Sequence, residues 1–204
     1  MIKKLALGAF SLLCLMSLAA CGQSPDVTAN AKGNKIGEET IKIGVNMELS
    51  GAVAAYGTAE YNGIKLAVKE INANGGIDGK MIELVAKDNK SEIAEASTTA
   101  TNLAVQSQVT TIIGPATSGA TAASSLESQK TGVPLLTPSG TQDDLTDNKD
   151  GSTKEFVFRT TFKDSFQGQV LAQFAAENMN AKKVVLYYDN SSDYAQGIAA
   201  EFKR

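Results

Sequence analysis

The chain has 204 residues, enough for one domain or for one domain and part of a second. Its 43% hydrophobic and 20% charged residues are the mix of an ordinary globular chain and exclude a disordered or fibrous one. A net charge of −3 argues against nucleic acid as a partner, and the lack of any histidine removes histidine-based triads and most zinc sites.

The N-terminus reads as a secretion signal. Lys3 and Lys4 give a positive start, and Leu5 to Leu18 give an apolar stretch too short to span a bilayer comfortably. Leu18-Ala19-Ala20-Cys21 resembles the bacterial lipobox, in which the cysteine is lipidated and becomes the new N-terminus. Cys14 would be discarded with the signal, which leaves Cys21 without a disulfide partner. Removing residues 1–20 takes away Lys3 and Lys4 and leaves 17 basic and 22 acidic residues, a net −5. Acyl chains on Cys21 would then be the contact with the membrane, at about 0.8 kcal/mol per buried CH₂. Residues 21–39 are rich in Ser, Gly, Asn, Ala and Lys and read as a flexible tether.

Strand and helix patterns alternate from there on. Ile41 to Met47 is a short apolar strand. Tyr61, Ile64, Ala67, Val68 and Ile71 then fall on one helical face, and Asn74-Gly75-Gly76 stops that helix. Met81 to Ala86 predicts a second strand. Ile93, Ala96, Ala100, Leu103 and Ala104 mark a helix with Ser91 as its N-cap. Thr110 to Gly114 is a third strand, Ser118 to Lys130 a helix of small residues, and Val133 to Leu136 a fourth strand ended by Pro138. Residues 139–154 are polar and loop-like. Phe156 to Phe162 predicts a fifth strand, followed by a helix with Phe166, Val170, Leu171, Phe174 and Ala175 on one face. Val184 to Tyr188 predicts a sixth strand, and a helix begins near Tyr194. The pattern continues to Arg204 with no stop signal, as in a sequence cut short. The alternation predicts an α/β fold with parallel sheets covered by helices. Ligands of such folds sit beyond the carboxyl ends of the strands.

Those ends carry small residues, hydroxyls and tyrosines: Ser50 to Gly57 after strand one, Pro115 to Gly119 after strand three, Thr137 to Thr141 after strand four, and Ser191 to Tyr194 after strand six. Helix N-termini and hydroxyls suit a small anion or zwitterion. Asp88 and Asp189 also stand at strand ends, but scattered carboxylates more often close loops than form a catalytic pair. The run Gly75 to Lys80 is similar to a phosphate loop only on the surface. Its spacing is wrong, Met81 stands where Ser or Thr is needed, and it leads from helix to strand. It reads as a turn. The chemistry is that of holding a ligand, so the chain is expected not to be an enzyme.

At these loops the sequence resembles the family of leucine/isoleucine/valine-binding proteins, the receptors of branched-chain amino acid ABC importers. The similar segments are IKIGVNMELSGAVAAYG (41–57), INANGGIDGK (71–80), IIGPATSGAT (112–121), PLLTPSGTQDDLT (134–146), FRTTFKDSFQG (158–168) and VVLYYDNSSDYAQG (184–197). The resemblance implies a type I periplasmic-binding-protein fold: two doubly wound parallel-sheet lobes joined by hinge strands, with the ligand between them. The first lobe would span residues 40–160, and an incomplete second lobe residues 161–204.

Matching positions imply that Ser118 holds the ligand carboxylate. In the fourth loop Ser139, Gly140 and Thr141 would line the site, Ser139 through backbone groups and Thr141 through its hydroxyl. Tyr56 would line the mouth of the cleft, and Tyr194 would close over the ligand from the second lobe. The acidic partner of the ammonium group would lie beyond Arg204. A cysteine pair known in some members is absent, with Ser91 and Thr117 near those places.

The resemblance thus implies a monomeric lipoprotein on the outer face of the bacterial cell membrane. Its partners would be a small amino acid, branched-chain in the family's manner, and permease subunits, with neither cofactor nor metal. A sensory module of the same fold, or a surface adhesin with a vestigial cleft, would read alike at these residues.

Overall fold

The computed structural model describes residues 32–204. The signal peptide, Cys21 and the first part of the tether lie outside the described residues. The rest of the segment read as tether meets the body: Asn34 Nδ2 donates to the carbonyls of Ala104 (2.7 Å) and Val109 (2.8 Å).

Five parallel strands form one sheet: β1 (Thr40–Met47), β2 (Met81–Asp88), β3 (Thr111–Ile113), β4 (Leu135–Thr137) and β5 (Val157–Arg159), in the spatial order β2-β1-β3-β4-β5. The connecting helices are α1 (Ala54–Ala73), α2 (Ile93–Thr101) and α3 (Ser118–Thr131); α4 (Asp164–Gln173) and α5 (Asp193–Phe202) follow the sheet. α2 and α4 each run on into a π-helical turn, Asn102–Gln106 and Phe174–Asn178. β1 adds β2 on one side and β3 on the other, so the strand order reverses between β1 and β3. In doubly wound sheets that crevice is where ligands lodge.

Register explains the core. Val85, Gly44, Ile112, Leu135 and Val157 are successive partners across the sheet. On that face Ile112, Leu135 and Val157 pack with Ala100, Leu103 and Ala104 from α2 and its π turn. The next row, Val45, Ile113, Leu136 and Phe158, points to the other face because side chains alternate along a strand. There Tyr61 and Ile64 of α1 pack against Val45 and Met47. α1 covers the β1 end of this face, and Phe158 on β5 is exposed.

α1 stops where expected. Asn74 follows it, and Gly75 and Gly76 take φ of +93° and +77°, a region that glycine occupies without steric cost. Gly75 to Lys80 is a turn, closed by a bridge between Ile77 and Lys80.

Two expectations fail. Ser91 is not the N-cap of α2: Glu92 holds that place, and Ser91 Oγ donates to Ser50 O (2.7 Å) in the loop after β1. The sixth strand does not form. Residues 184–188 pair with no neighbour among the described residues, and Tyr187 is 100% exposed. A strand is made by its ladder, and no second strand stands beside this one.

Candidate functional site

The loops after β1, β3 and β4 meet at the carboxyl edge of the sheet, around the N-terminus of α3. Gly114 begins the β3 loop at φ +99°, and a Cβ there would lie 2.0 Å from the Asn46 carbonyl. Only glycine lets this loop lie so close to β1.

Below the loops is a polar floor that the sequence reading missed. Glu48, fully buried just past β1, accepts hydrogen bonds from Ala116 N–H (3.0 Å), Thr117 N–H (3.1 Å) and Thr117 Oγ1 (2.8 Å). One carboxylate thus fixes the approach to α3. Asn46, also fully buried, donates to Ala96 O (2.9 Å) and accepts from Asn89 Nδ2 (3.2 Å), joining the ends of β1 and β2 to α2. The signal for these residues was present in the sequence: an Asn and a Glu flanking an apolar strand end can be buried only if fully bonded. Asp88 and Asp189 prove to be loop closers. Asp88 accepts from the Leu49, Ser50 and Lys90 amides and from Ser50 Oγ, and Asp189 from the Ser191 amide and hydroxyl.

The structure brings Ser118, Ser139, Gly140 and Thr141 together. Ser118 is the first residue of α3, and its Oγ accepts from both Thr141 N–H and Gln142 N–H, each at 3.3 Å. A hydroxyl has two acceptor sites and one proton. With both acceptor sites engaged, Ser118 has only its proton to offer. The first-turn amides of α3 point the same way, having no carbonyl one turn earlier to bind.

Ser139 Oγ lies 2.8 Å from Ala116 O and 2.5 Å from Glu60 Oε1. One serine proton cannot serve both acceptors. A protonated Glu60 that donates through Oε1 leaves the Ser139 proton for Ala116 O, while Glu60 Oε2 stays buried without a partner among the described residues. Burial pushes the Glu60 carboxyl above its ordinary value; the Ser139 hydrogen bond opposes this and nearby Glu48 adds to it. Gly140 donates its N–H to Thr137 Oγ1 (2.9 Å), and a Cβ on it would sit 2.7 Å from the same oxygen. Its part in the loop is therefore close packing. Thr141 Oγ1 is buried without a hydrogen bond.

The two tyrosines stand apart from this cluster. Tyr56 is 68% exposed on the first turn of α1, one turn before Glu60. Tyr194 is on the first turn of α5, its hydroxyl 3.3 Å from Gln167 Nε2. The preceding residue reaches α3: a Cβ on Gly119 would lie 2.8 Å from Asp193 Oδ2. The N-termini of α3 and α5 therefore face each other, with Tyr194 beside the junction.

Among the described residues no three acids, cysteines or histidines gather to hold a metal. No helix there is long and apolar enough to cross a membrane. A depression lined by Asn34, Lys35, Lys42 and Gln108 lies at the opposite, amino-terminal edge of the sheet and shares no residue with the cluster.

The chain is similar to proteins of known family and structure. Residues 40–204 match the family model described as periplasmic binding protein. The chain is 37% identical over 163 residues to the Leu/Ile/Val-binding protein BraC3 of Rhizobium johnstonii, covering 80% of this chain and 43% of that one. Among solved structures it is similar to the branched-chain amino acid transporter substrate-binding protein LivJ of Streptococcus pneumoniae, in complex with isoleucine. The identity is 59% and the TM-score 0.76, over 81% of this chain and 46% of that one. The leucine-binding protein LivK of Thermotoga maritima follows at 32% identity and a TM-score of 0.73, over 80% and 45%. The chain spans less than half the length of each of these relatives.

Proposed function

The chain belongs to the periplasmic binding protein family, and from that premise we propose that it is part of an extracytoplasmic receptor that captures a branched-chain amino acid for an ABC importer. The lipobox-like Cys21 would anchor a monomeric receptor to the outer face of the cell membrane, and permease subunits would receive the ligand.

The observation that carries this reading is the Ser118 hydroxyl. Two amides fill its acceptor sites, and it opens a 14-residue helix. It is a donor placed at the positive end of a helix dipole, the setting for a carboxylate. Ser139, Thr141 and the α5 edge with Tyr194 would enclose the rest of the molecule. Closure of the second lobe would exclude water and strengthen these contacts. The site offers donors for a carboxylate and acceptors for an ammonium, the complement of a zwitterion that is held and released unchanged.

Calorimetry on a full-length protein carrying this sequence tests the reading. Leucine, isoleucine or valine should bind, and Ser118→Ala should weaken binding by about 1–3 kcal/mol. If no amino acid raises the melting temperature, the receptor reading is wrong. If Ser118→Ala binds as tightly as the parent, the carboxylate lies elsewhere.

A further inference from the structure

Asp164 opens α4, at the start of the second lobe, and is 2% exposed. Among the described residues neither carboxylate oxygen has a hydrogen-bond partner, and the same is true of Thr141 Oγ1. The backbone holds the two residues side by side, for Asp164 N–H donates to Thr141 O at 2.9 Å. Two buried polar side chains, neighbours through the backbone, are thus each left without a partner.

The neighbours leave Asp164 no other partner. From β5, Arg159 directs its guanidinium to the carbonyls of Thr141, Gln142 and Asp143 and to Thr146 Oγ1. Its charge reaches Asp164 but its N–H groups do not. From the loop after β4, Asp143 accepts from Ser165 N–H and repels the Asp164 charge. α5 presents Gly197, where a Cβ would fall 2.6 Å from Asp164 Oδ2, and so brings no charge.

We propose that Asp164 is a positioning residue: ionised, it takes the Thr141 proton and turns the Thr141 lone pairs toward the ammonium group of the bound amino acid. The inference rests on the amino-acid reading of the site given above. Thr141 has one proton to place. When Asp164 is ionised, that proton goes to the carboxylate and Thr141 accepts from the ligand. When Asp164 is protonated, it donates to Thr141, whose own proton then faces the ligand and repels an ammonium. Serine and threonine would so divide the zwitterion, Ser118 serving its carboxylate and Thr141 its ammonium. Burial raises the Asp164 pKa, with Asp143 adding to the rise and Thr141 and Arg159 opposing it, so mild acid reaches the switch sooner than it would an exposed aspartate.

The experiment is calorimetry on a full-length protein carrying this sequence, with leucine and with 4-methylpentanoate, which keeps the carboxylate and lacks the ammonium. At neutral pH Asp164→Asn should weaken leucine binding on the order of tenfold, since the amide donates to Thr141 as the protonated acid would. Binding of 4-methylpentanoate should not change. Thr141→Val should weaken leucine similarly, and the double variant should lose no more than either single one. Acidification should weaken leucine binding to the parent more than to Thr141→Val, which keeps only the loss due to the other acids of the site, and this difference is a readout that holds even if Asp164→Asn fails to fold. Equal loss for both ligands, or additive losses in the double variant, overturns the inference. Unchanged leucine binding in Thr141→Val would instead overturn the assignment of Thr141 to the site.

Discussion

β4 and the run Val184 to Tyr188 read alike in the sequence and end differently in the structure. Both are short apolar stretches after a helix and before a hydroxyl-bearing loop. Leu135 of β4 pairs with β3 on one side and β5 on the other and is fully buried. Val185 pairs with nothing among the described residues and is 91% exposed. The helices repeat the lesson. Ala100, Leu103 and Ala104 of α2 and its π turn lie in the core, while Phe166 of α4 is 61% exposed and Phe174 of the following turn is exposed too. An apolar pattern states what a segment needs, and only its neighbours decide whether the need is met.

The largest test of that contrast is mutational. Leu135→Ala should destabilise the five-stranded sheet and its helices by about 2–5 kcal/mol, because it leaves a cavity among Ile112, Val157 and Leu103. Val185→Ala in the same 204-residue chain should change stability by less than about 0.5 kcal/mol, since no packing is lost. Urea unfolding of both variants measures the difference. Similar losses would mean that residues 184–188 pack in solution, and the contrast between the regions would vanish.

A smaller effect sharpens the comparison within the sheet, where the polar floor stands beside the apolar core. Glu48→Gln keeps one acceptor for the Ala116 and Thr117 donors and turns an amide donor toward them. The cost should be about 1–3 kcal/mol, because buried donors are left unmatched. The α3 N-terminus should loosen with it, read as faster amide exchange from Ala116 to Ala120. Stability and exchange both unchanged would show that Glu48 does not hold this loop.

The fold was legible where local pattern and partner lie within the same stretch of chain. The alternation of strands with helices, the stop at Asn74 and the turn at Gly75 to Lys80 all follow from residues near one another. The clustering of Ser118, Ser139 and Thr141 was legible through the strand-end rule and the family resemblance. Glu48 and Glu60 were not, because each finds its partner by long-range contact: Glu48 at Thr117 and Glu60 at Ser139. Ser91 was misread because a serine before a helix fits an N-cap and a loop tie equally well. Its bond to Ser50 exists only once β1 and β2 lie side by side.

The smallest effect compares one acid from each region. Glu60 on α1 and Asp164 on α4 both titrate above their ordinary values, 4.5 and 3.8, and burial is the leading cause for each. The folded state therefore keeps protons over a range where the unfolded chain has released them. The stability this brings is complete below the unfolded values and is lost as pH rises through the raised ones. Glu60→Gln imitates the protonated acid, because its amide donates to Ser139. Below the unfolded value of 4.5 the variant and parent should melt alike, and as pH rises above it the parent should lose ground to the variant. Asp164→Asn should show the same sign in the absence of ligand while weakening leucine binding, because there the ionised form serves the site. Melting curves that separate in the opposite direction for Glu60→Gln would mean that Ser139 donates to a charged Glu60, and the proton assignment at this loop would have to be reversed.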